Sequence, residues 1–179
     1  MEKPPIRKSQ ERAIRPTSSG MQLCRILVPV DFSAATTKVL QCAAAFAREY
    51  KALITLLHVV VPDGSHVRRN ISRQRLIEEM SEASEAQLRK LADVIWGEEI
   101  TTDIVVATGK PYLQIVNEAR EMNSDMIIMA SHGVVGAWGL FRRNTTTKVV
   151  RYAPCPVLVV QAFARGLVTD ASVGRRLDH

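Results

Sequence analysis

Five short apolar runs, rich in β-branched residues, divide this chain, and helix-length segments separate them. They are Arg25-Ile26-Leu27-Val28-Pro29-Val30, Leu53 to Val59, Thr102 to Ala107, Met126-Ile127-Ile128-Met129 and Val157-Leu158-Val159-Val160. A strand that reads as a continuous apolar run is covered on both faces. Strands separated by helices are most simply parallel, joined by right-handed crossovers. The expected fold is therefore α/β: a three-layer sandwich around a five-stranded parallel sheet. Asp103 in the third run places that strand near an edge of the sheet.

The intervening segments carry helical spacing. Val39, Leu40, Ala43, Phe46 and Ala47 recur on one face of residues 34–50, with Cys42 and Ala44 widening it. Residues 71–96 form a long charged helix whose stripe is Leu76, Ile77, Met80, Ala83, Leu88, Leu91, Ala92 and Ile95. Pro111 opens a third helix at its first turn, where a missing N–H costs nothing. A short fourth helix runs from about Asn144 to Tyr152, ended by Pro154 and Pro156. Residues 1–20 lack apolar periodicity and hold Pro4, Pro5 and Pro16, followed by Ser18-Ser19-Gly20. They read as a disordered arm, and Met21 is a candidate start. The domain spans residues 21–161, and residues 162–179 read as a tail.

The chain of 179 residues is long enough to bury a core. No apolar run approaches the roughly 18 residues a membrane helix needs. The first residues lack the apolar stretch of a secretory signal, so the expected location is the cytoplasm. The net charge of +6 lies mostly in the tails: residues 1–20 carry +3, residues 162–179 carry +1 and the core only +2. A weakly basic core is a poor electrostatic footprint for nucleic acid, so no nucleic-acid or membrane partner is expected. Cys24, Cys42 and Cys155 have neither disulfide nor zinc spacing and read as small buried hydrophobes. No metal site and no catalytic residue is expected: a nucleophile with an adjacent base, a carboxylate cluster and a P-loop lysine are all missing from the pattern.

In an open parallel sheet, ligands bind beyond the carboxyl ends of the strands where strand order reverses. Two loops occupy such positions. One is Val30-Asp31-Phe32-Ser33 after the first strand. The other runs from Ala130-Ser131-His132-Gly133 to Gly139 after the fourth. Gly133, Gly136 and Gly139 permit close backbone approach, and main-chain N–H groups beside a helix start can cradle phosphate. The spacing matches neither the dinucleotide fingerprint nor the P-loop. A phosphate cradle and a plain surface loop both stay open. Trp138 packs against the sheet or covers a ligand, and Arg142 beside Arg143 reads as a solvated pair. His58 reads as structural, without a metal role.

Five landmarks occur in order: Ile26 to Ser33, Leu57-His58-Val59-Val60, Gly109-Lys110-Pro111, Asp125 to Gly133, and Ala153-Pro154-Cys155-Pro156 to Val160. Together they resemble the universal stress protein family over residues 24–161. The resemblance implies a flavodoxin-like strand order 3-2-1-4-5 of the adenine nucleotide alpha hydrolase-like type and a role in stress response. It also implies a homodimer formed through the fifth strand, Val157 to Val160. One branch of that family binds ATP with the pattern G-x2-G-x9-G-[ST]. Here those positions are Ala130, Gly133, Arg143 and Asn144, so one of four is kept. The guanidinium of Arg143 either fills the phosphate space or grips a phosphate. Asn144 keeps a side-chain donor and suits an N-cap, and Thr145 and Thr146 add hydroxyls at the same helix start. By the same resemblance Asp31 contacts the nucleoside end and Pro29, Val59 and Met129 line the adenine, although an Asp at a strand end also serves as a turn residue and apolar residues there also serve as core. His132 lies beside the phosphates or in solvent. The implied ligand is ATP or another adenine nucleotide, with Mg as its companion. The alternative is a nucleotide-free interaction protein that acts as a dimer.

Overall fold

A computed structural model describes residues 22–61, 73–131 and 143–161. The element order is β1 (Arg25–Pro29), α1 (Thr36–Tyr50), β2 (Leu53–Val60), α2 (Arg73–Ile95), β3 (Thr102–Thr108), α3 (Pro111–Glu121), β4 (Met126–Ser131), α4 (Arg143–Tyr152) and β5 (Val157–Gln161). The five strands form one sheet in the order β3-β2-β1-β4-β5, and every pairing is parallel. The expected architecture and strand order are those observed. β3 stands at one edge and carries an exposed Asp103. The expected arm (residues 1–20) and tail (residues 162–179) lie outside the described residues.

Side chains alternate across the sheet because successive Cβ atoms of a strand point to opposite faces. Ile26, Val28, Ile54, Leu56 and Ile128 meet Val39, Leu40 and Ala43 of α1 and Leu88 and Ala92 of α2. Leu27, Leu57, Val59, Ile127 and Met129 meet Ile115 and Ala119 of α3 and Val149 of α4. The central strands are thus apolar on both faces, which is why their sequences show no alternation. Full burial of a Leu or Ile side chain contributes about 1.5–3 kcal/mol, and many of the largest buried side chains lie on β1, β2 and β4. Lys148 of α4 sets its ammonium 4.7 Å from the ring centroid of Tyr112, joining the helices of the second face.

Two expectations need correction. The stripe of α2 does not reach the core along its whole length: Leu88 and Ala92 are buried, whereas Met80 is 37 % exposed and Ala83 is exposed. The reason is length. The 23 residues of α2 extend for about 34 Å at 1.5 Å per residue, while the 8 residues of β2 and 7 of β3 span roughly 23–27 Å. The helix follows β2, so the surplus of roughly 7–11 Å, about five to seven residues, is its first two turns, which reach to Met80 at the carboxyl edge of the sheet; the exposure of Ala83 has no such explanation. The cysteines also differ from one another. Cys42 is buried, Cys155 is half-buried and Cys24 is exposed, because Cys24 lies on the chain entering β1 rather than within the sheet.

Backbone exceptions fall where the chain turns. Lys51 at φ +53° closes α1 and Asn123 at φ +50° follows α3, the left-handed helix endings expected of such positions. Gly109, at φ +138°, leaves β3 beside the amide of Gln114, which a Cβ there would approach to 3.0 Å. This explains the glycine of the Gly109-Lys110-Pro111 landmark.

Candidate functional site

Strand order reverses between β1 and β4, whose chain neighbours lie on opposite sides of the sheet. The two strands are hydrogen-bonded partners in parallel register, Ile26 against Met126 and Leu27 against Ile127. Their carboxyl ends therefore open side by side, about 4.8 Å apart. The turn Val30 to Ser33 leaves one, Ala130 and Ser131 end the other, and the first turn of α4 stands beside β4.

The β1 turn is built locally. Asp31 accepts a hydrogen bond through Oδ1 from the Ser33 N–H at 3.1 Å, an Asx turn of the kind this residue favours. Thr36 N–H then donates to the Ser33 carbonyl at 3.0 Å and starts α1. Ala35 caps that helix without a side-chain bond, and no acidic residue stands in its first turn. Phe32 adopts φ +56°, a conformation that costs an L-residue about 1–2 kcal/mol. The hydroxyls of Ser33 and Thr36 are buried without a hydrogen-bond partner among the described residues. Each such group costs about 1–3 kcal/mol. Strain and unmet hydrogen-bonding capacity thus coincide in one turn at the mouth of the switch point.

Across the mouth, Thr145 is buried and Thr146 half-buried. The Thr146 hydroxyl points toward the Ala130 carbonyl at 3.5 Å, a long and weak bond. The helix starts at Arg143, so Asn144 lies inside its first turn rather than before it. The side chains of Arg143 and Asn144, together with His132 and Gly133, lie outside the described residues, as does Trp138. Pro29, Val59, Met129 and Ala130 are all buried. Val59 and Met129 belong to the core face shared with α3 and α4, so they form the floor beneath the mouth rather than free surface.

Two residues of this end gain weight from the structure. Phe32 gives no sign of its left-handed backbone, since the turn Asp31-Phe32-Ser33 contains no glycine. His58 does leave a signal: it stands two residues beyond Leu56 on the same face of a buried strand, and a buried polar side chain must find a partner. Its Nδ1 lies 2.8 Å from the Val30 carbonyl, and its ring faces Phe32 with centroids 4.6 Å apart. Burial pushes the His58 pKa below the ordinary histidine value of 6.5, against the opposing influence of the Val30 bond and the Asp31 charge. No group of three or more His, Cys, Asp or Glu suited to a metal occurs among the described residues. No helix among them is long and apolar enough to cross a membrane.

A parallel α/β sheet with order 3-2-1-4-5 and a polar turn at its switch point defines a class of ligand-binding folds. The chain belongs to the universal stress protein family, whose family model matches residues 24–161. It is 27% identical over 157 residues to the universal stress protein Sll1654 of Synechocystis, covering 86% of this chain and 96% of that protein. The structure of the universal stress protein UspA from Lactobacillus plantarum superposes with a TM-score of 0.65 at 23% identity, covering 79% of this chain and 99% of that one. A universal stress protein solved in complex with cAMP superposes with a TM-score of 0.55 at 19% identity, covering 78% and 98%.

Proposed function

We propose that this protein is a stress-response module that binds an adenine nucleotide between the carboxyl ends of β1 and β4. The observation that carries this reading is the mouth itself. It places Asp31 and the buried hydroxyls of Ser33 and Thr36, without a hydrogen-bond partner among the described residues, after β1, and the first turn of α4 after the adjacent β4, at the point of the sheet where strand order reverses. The cAMP held by a protein of the same fold supports the ligand class. Asp31 accepts hydrogen bonds from ribose hydroxyls, while Ser131, Thr145, Thr146 and the main-chain N–H groups at the start of α4 receive phosphate, with Mg as the companion of ATP. Arg143 stands where the ATP-binding pattern has glycine, so the phosphate end of the site departs from that pattern at this residue. The role is binding rather than catalysis, in the cytoplasm.

Thermal unfolding with and without millimolar Mg-ATP tests the reading. A ligand present at about 100 times its Kd stabilises the native state by about 2.7 kcal/mol. The expected result is a raised Tm for the native protein. A rise confined to an Arg143→Gly, Asn144→Ser double variant would show a pocket that these two residues close. Phosphate release above a buffer blank, abolished by Asp31→Ala, would replace binding with hydrolysis.

The same proposal includes a homodimer through β5. Val157, Leu158, Val159 and Val160 form an edge strand and are all half-buried, and Val150 and Tyr152 on the neighbouring α4 are 54 % and 49 % exposed. An apolar edge of this kind is a template for pairing with a second copy. Sedimentation at micromolar concentration should give twice the chain mass, and Leu158→Lys should return it to the monomer.

A further inference from the structure

The β1 turn is attached to the sheet through a titratable ring. Val30 N–H donates to the Leu57 carbonyl at 2.8 Å, and the Val30 carbonyl is 2.8 Å from His58 Nδ1. A carbonyl only accepts, so Nδ1 carries the proton and Nε2 is the nitrogen left to take a second one. The same ring packs against Phe32, the residue held at φ +56°. One side chain of β2 thus fixes both the residue before Asp31 and the residue after it.

The charges around the ring are few. Among the described residues, the carboxylate of Asp31 is the charge that acts on it. The core on this face is mostly apolar, with Val39 and Leu40 from α1, Leu88 and Leu91 from α2 and Val106 from β3, and Thr36 of α1 adds a buried but uncharged hydroxyl. The neutral ring suits that setting. A second proton would place an imidazolium next to Asp31 in low dielectric, where their attraction is strong. The carboxylate would then be drawn toward the ring and away from the Ser33 N–H that shapes the turn.

We propose that His58 is a positioning residue for the Asp31 turn, and that its protonation reorganises the turn and weakens ligand binding as the medium acidifies. The affinity part of this inference rests on the ligand-binding reading above, whereas the response of the turn does not. The sign follows from linkage. In the unfolded chain the ring takes up its proton at the ordinary value of about 6.5, whereas burial lowers the native value. Stability contributed by the neutral ring is therefore fully present above about pH 6.5 and is lost as pH falls below it toward the lowered native pKa.

Two measurements separate the coupling from the ligand reading. In the ligand-free full chain, NMR follows the His58 ring, the Phe32 ring and the Ser33 amide from pH 8 to pH 5. The expected result is one shared midpoint below about 6.5. In His58→Asn, whose amide keeps a donor toward Val30 without titrating, the Ser33 amide should be flat over the same range. A His58 ring that titrates while Phe32 and Ser33 stay still overturns the proposal, as does a ring that remains neutral to pH 5. Calorimetric titration with Mg-ATP at both ends of that range then reads affinity. Binding should weaken up to about tenfold for each unit by which the bound ligand lowers the His58 pKa, and His58→Asn should bind equally at both. Equal affinity of the native protein across a range in which His58 titrates overturns the proposal. Absence of Mg-ATP binding at every pH, with the turn still titrating in step, sinks the nucleotide reading and leaves the positioning role supported.

Discussion

The two ends of the sheet are built on opposite terms. At the amino end, polar groups are matched. Asp125 Oδ2 accepts the N–H groups of Cys24 at 2.8 Å and Arg25 at 3.0 Å, and the Arg25 guanidinium donates to the Met122 carbonyl at 2.7 Å. Arg48 forks onto Glu99 with two bonds of 2.8 and 2.7 Å. Lys51 and Asn123 are left-handed there only because helices end at or beside them. At the carboxyl end, Phe32 is left-handed with no helix end to explain it, and Ser33 and Thr36 bury hydroxyls that no group among the described residues meets. A fold of marginal stability can carry such unmatched groups in only a few places, and they concentrate where a ligand can meet them. The amino end holds the strands in register, and the carboxyl end keeps hydrogen-bonding capacity in reserve.

The sharpest way to break this contrast is to unlatch the amino end. Asp125→Ala leaves the N–H groups of Cys24 and Arg25 without their charged acceptor, and such bonds are worth about 1.5–3 kcal/mol. We expect a loss of about 2 kcal/mol in denaturant unfolding, with ligand affinity unchanged. An equal loss of affinity would show that the two ends are not separable. The carboxyl end should respond with the opposite sign. Thr36→Val removes a buried hydroxyl that has no partner and keeps the shape, so stability should rise by about 1 kcal/mol, while ligand affinity falls. A destabilised Thr36→Val protein would mean that the hydroxyl is already satisfied in solution, for example by an ordered water.

The fold was legible because its signal is repeated. Five apolar runs and four helical stripes agree on one sheet, and Asp103 marks an edge strand without help from any other residue. Where packing depends on geometry between elements, legibility ends. The α2 stripe predicts burial for Met80 as firmly as for Leu88, yet only Leu88 lies over the sheet, because periodicity reports which face is apolar and not how far the neighbouring strands extend. Cys24 is misread for a related reason: apolar neighbours in sequence do not say where a strand begins. At the site, Asp31 is legible from its place after β1. Thr36 and Phe32 are not. An unpaired hydroxyl is a statement about what surrounds an atom, and a left-handed Phe leaves no trace in residue type. His58 falls between these cases, since its parity with Ile54 and Leu56 fixes its face but not its bond to Val30.

The smallest effect expected is also the cleanest control. Glu99→Gln removes the carboxylate whose hydrogen bond, and to a lesser degree its charge, raises the Arg48 pKa, and whose own pKa the Arg48 hydrogen bond lowers. Both side chains are largely exposed, at 44% and 57%, so solvent and salt screen the pair and its Coulomb gain is nearly offset by the entropy of ordering two long side chains. Melting at low salt should fall slightly, the difference should vanish at 1 M salt, and ligand affinity should not change. The direction with pH follows from the lowered Glu99 pKa: the pair contributes above the ordinary glutamate range and is lost as pH falls through the lowered value. A salt-insensitive loss would assign the pair a packing role instead, in which the Arg48 stem covers Ala47 and Ile100 across the groove these residues line with Lys51 and Thr101. The amino end would then owe its order to shape as much as to matched charge.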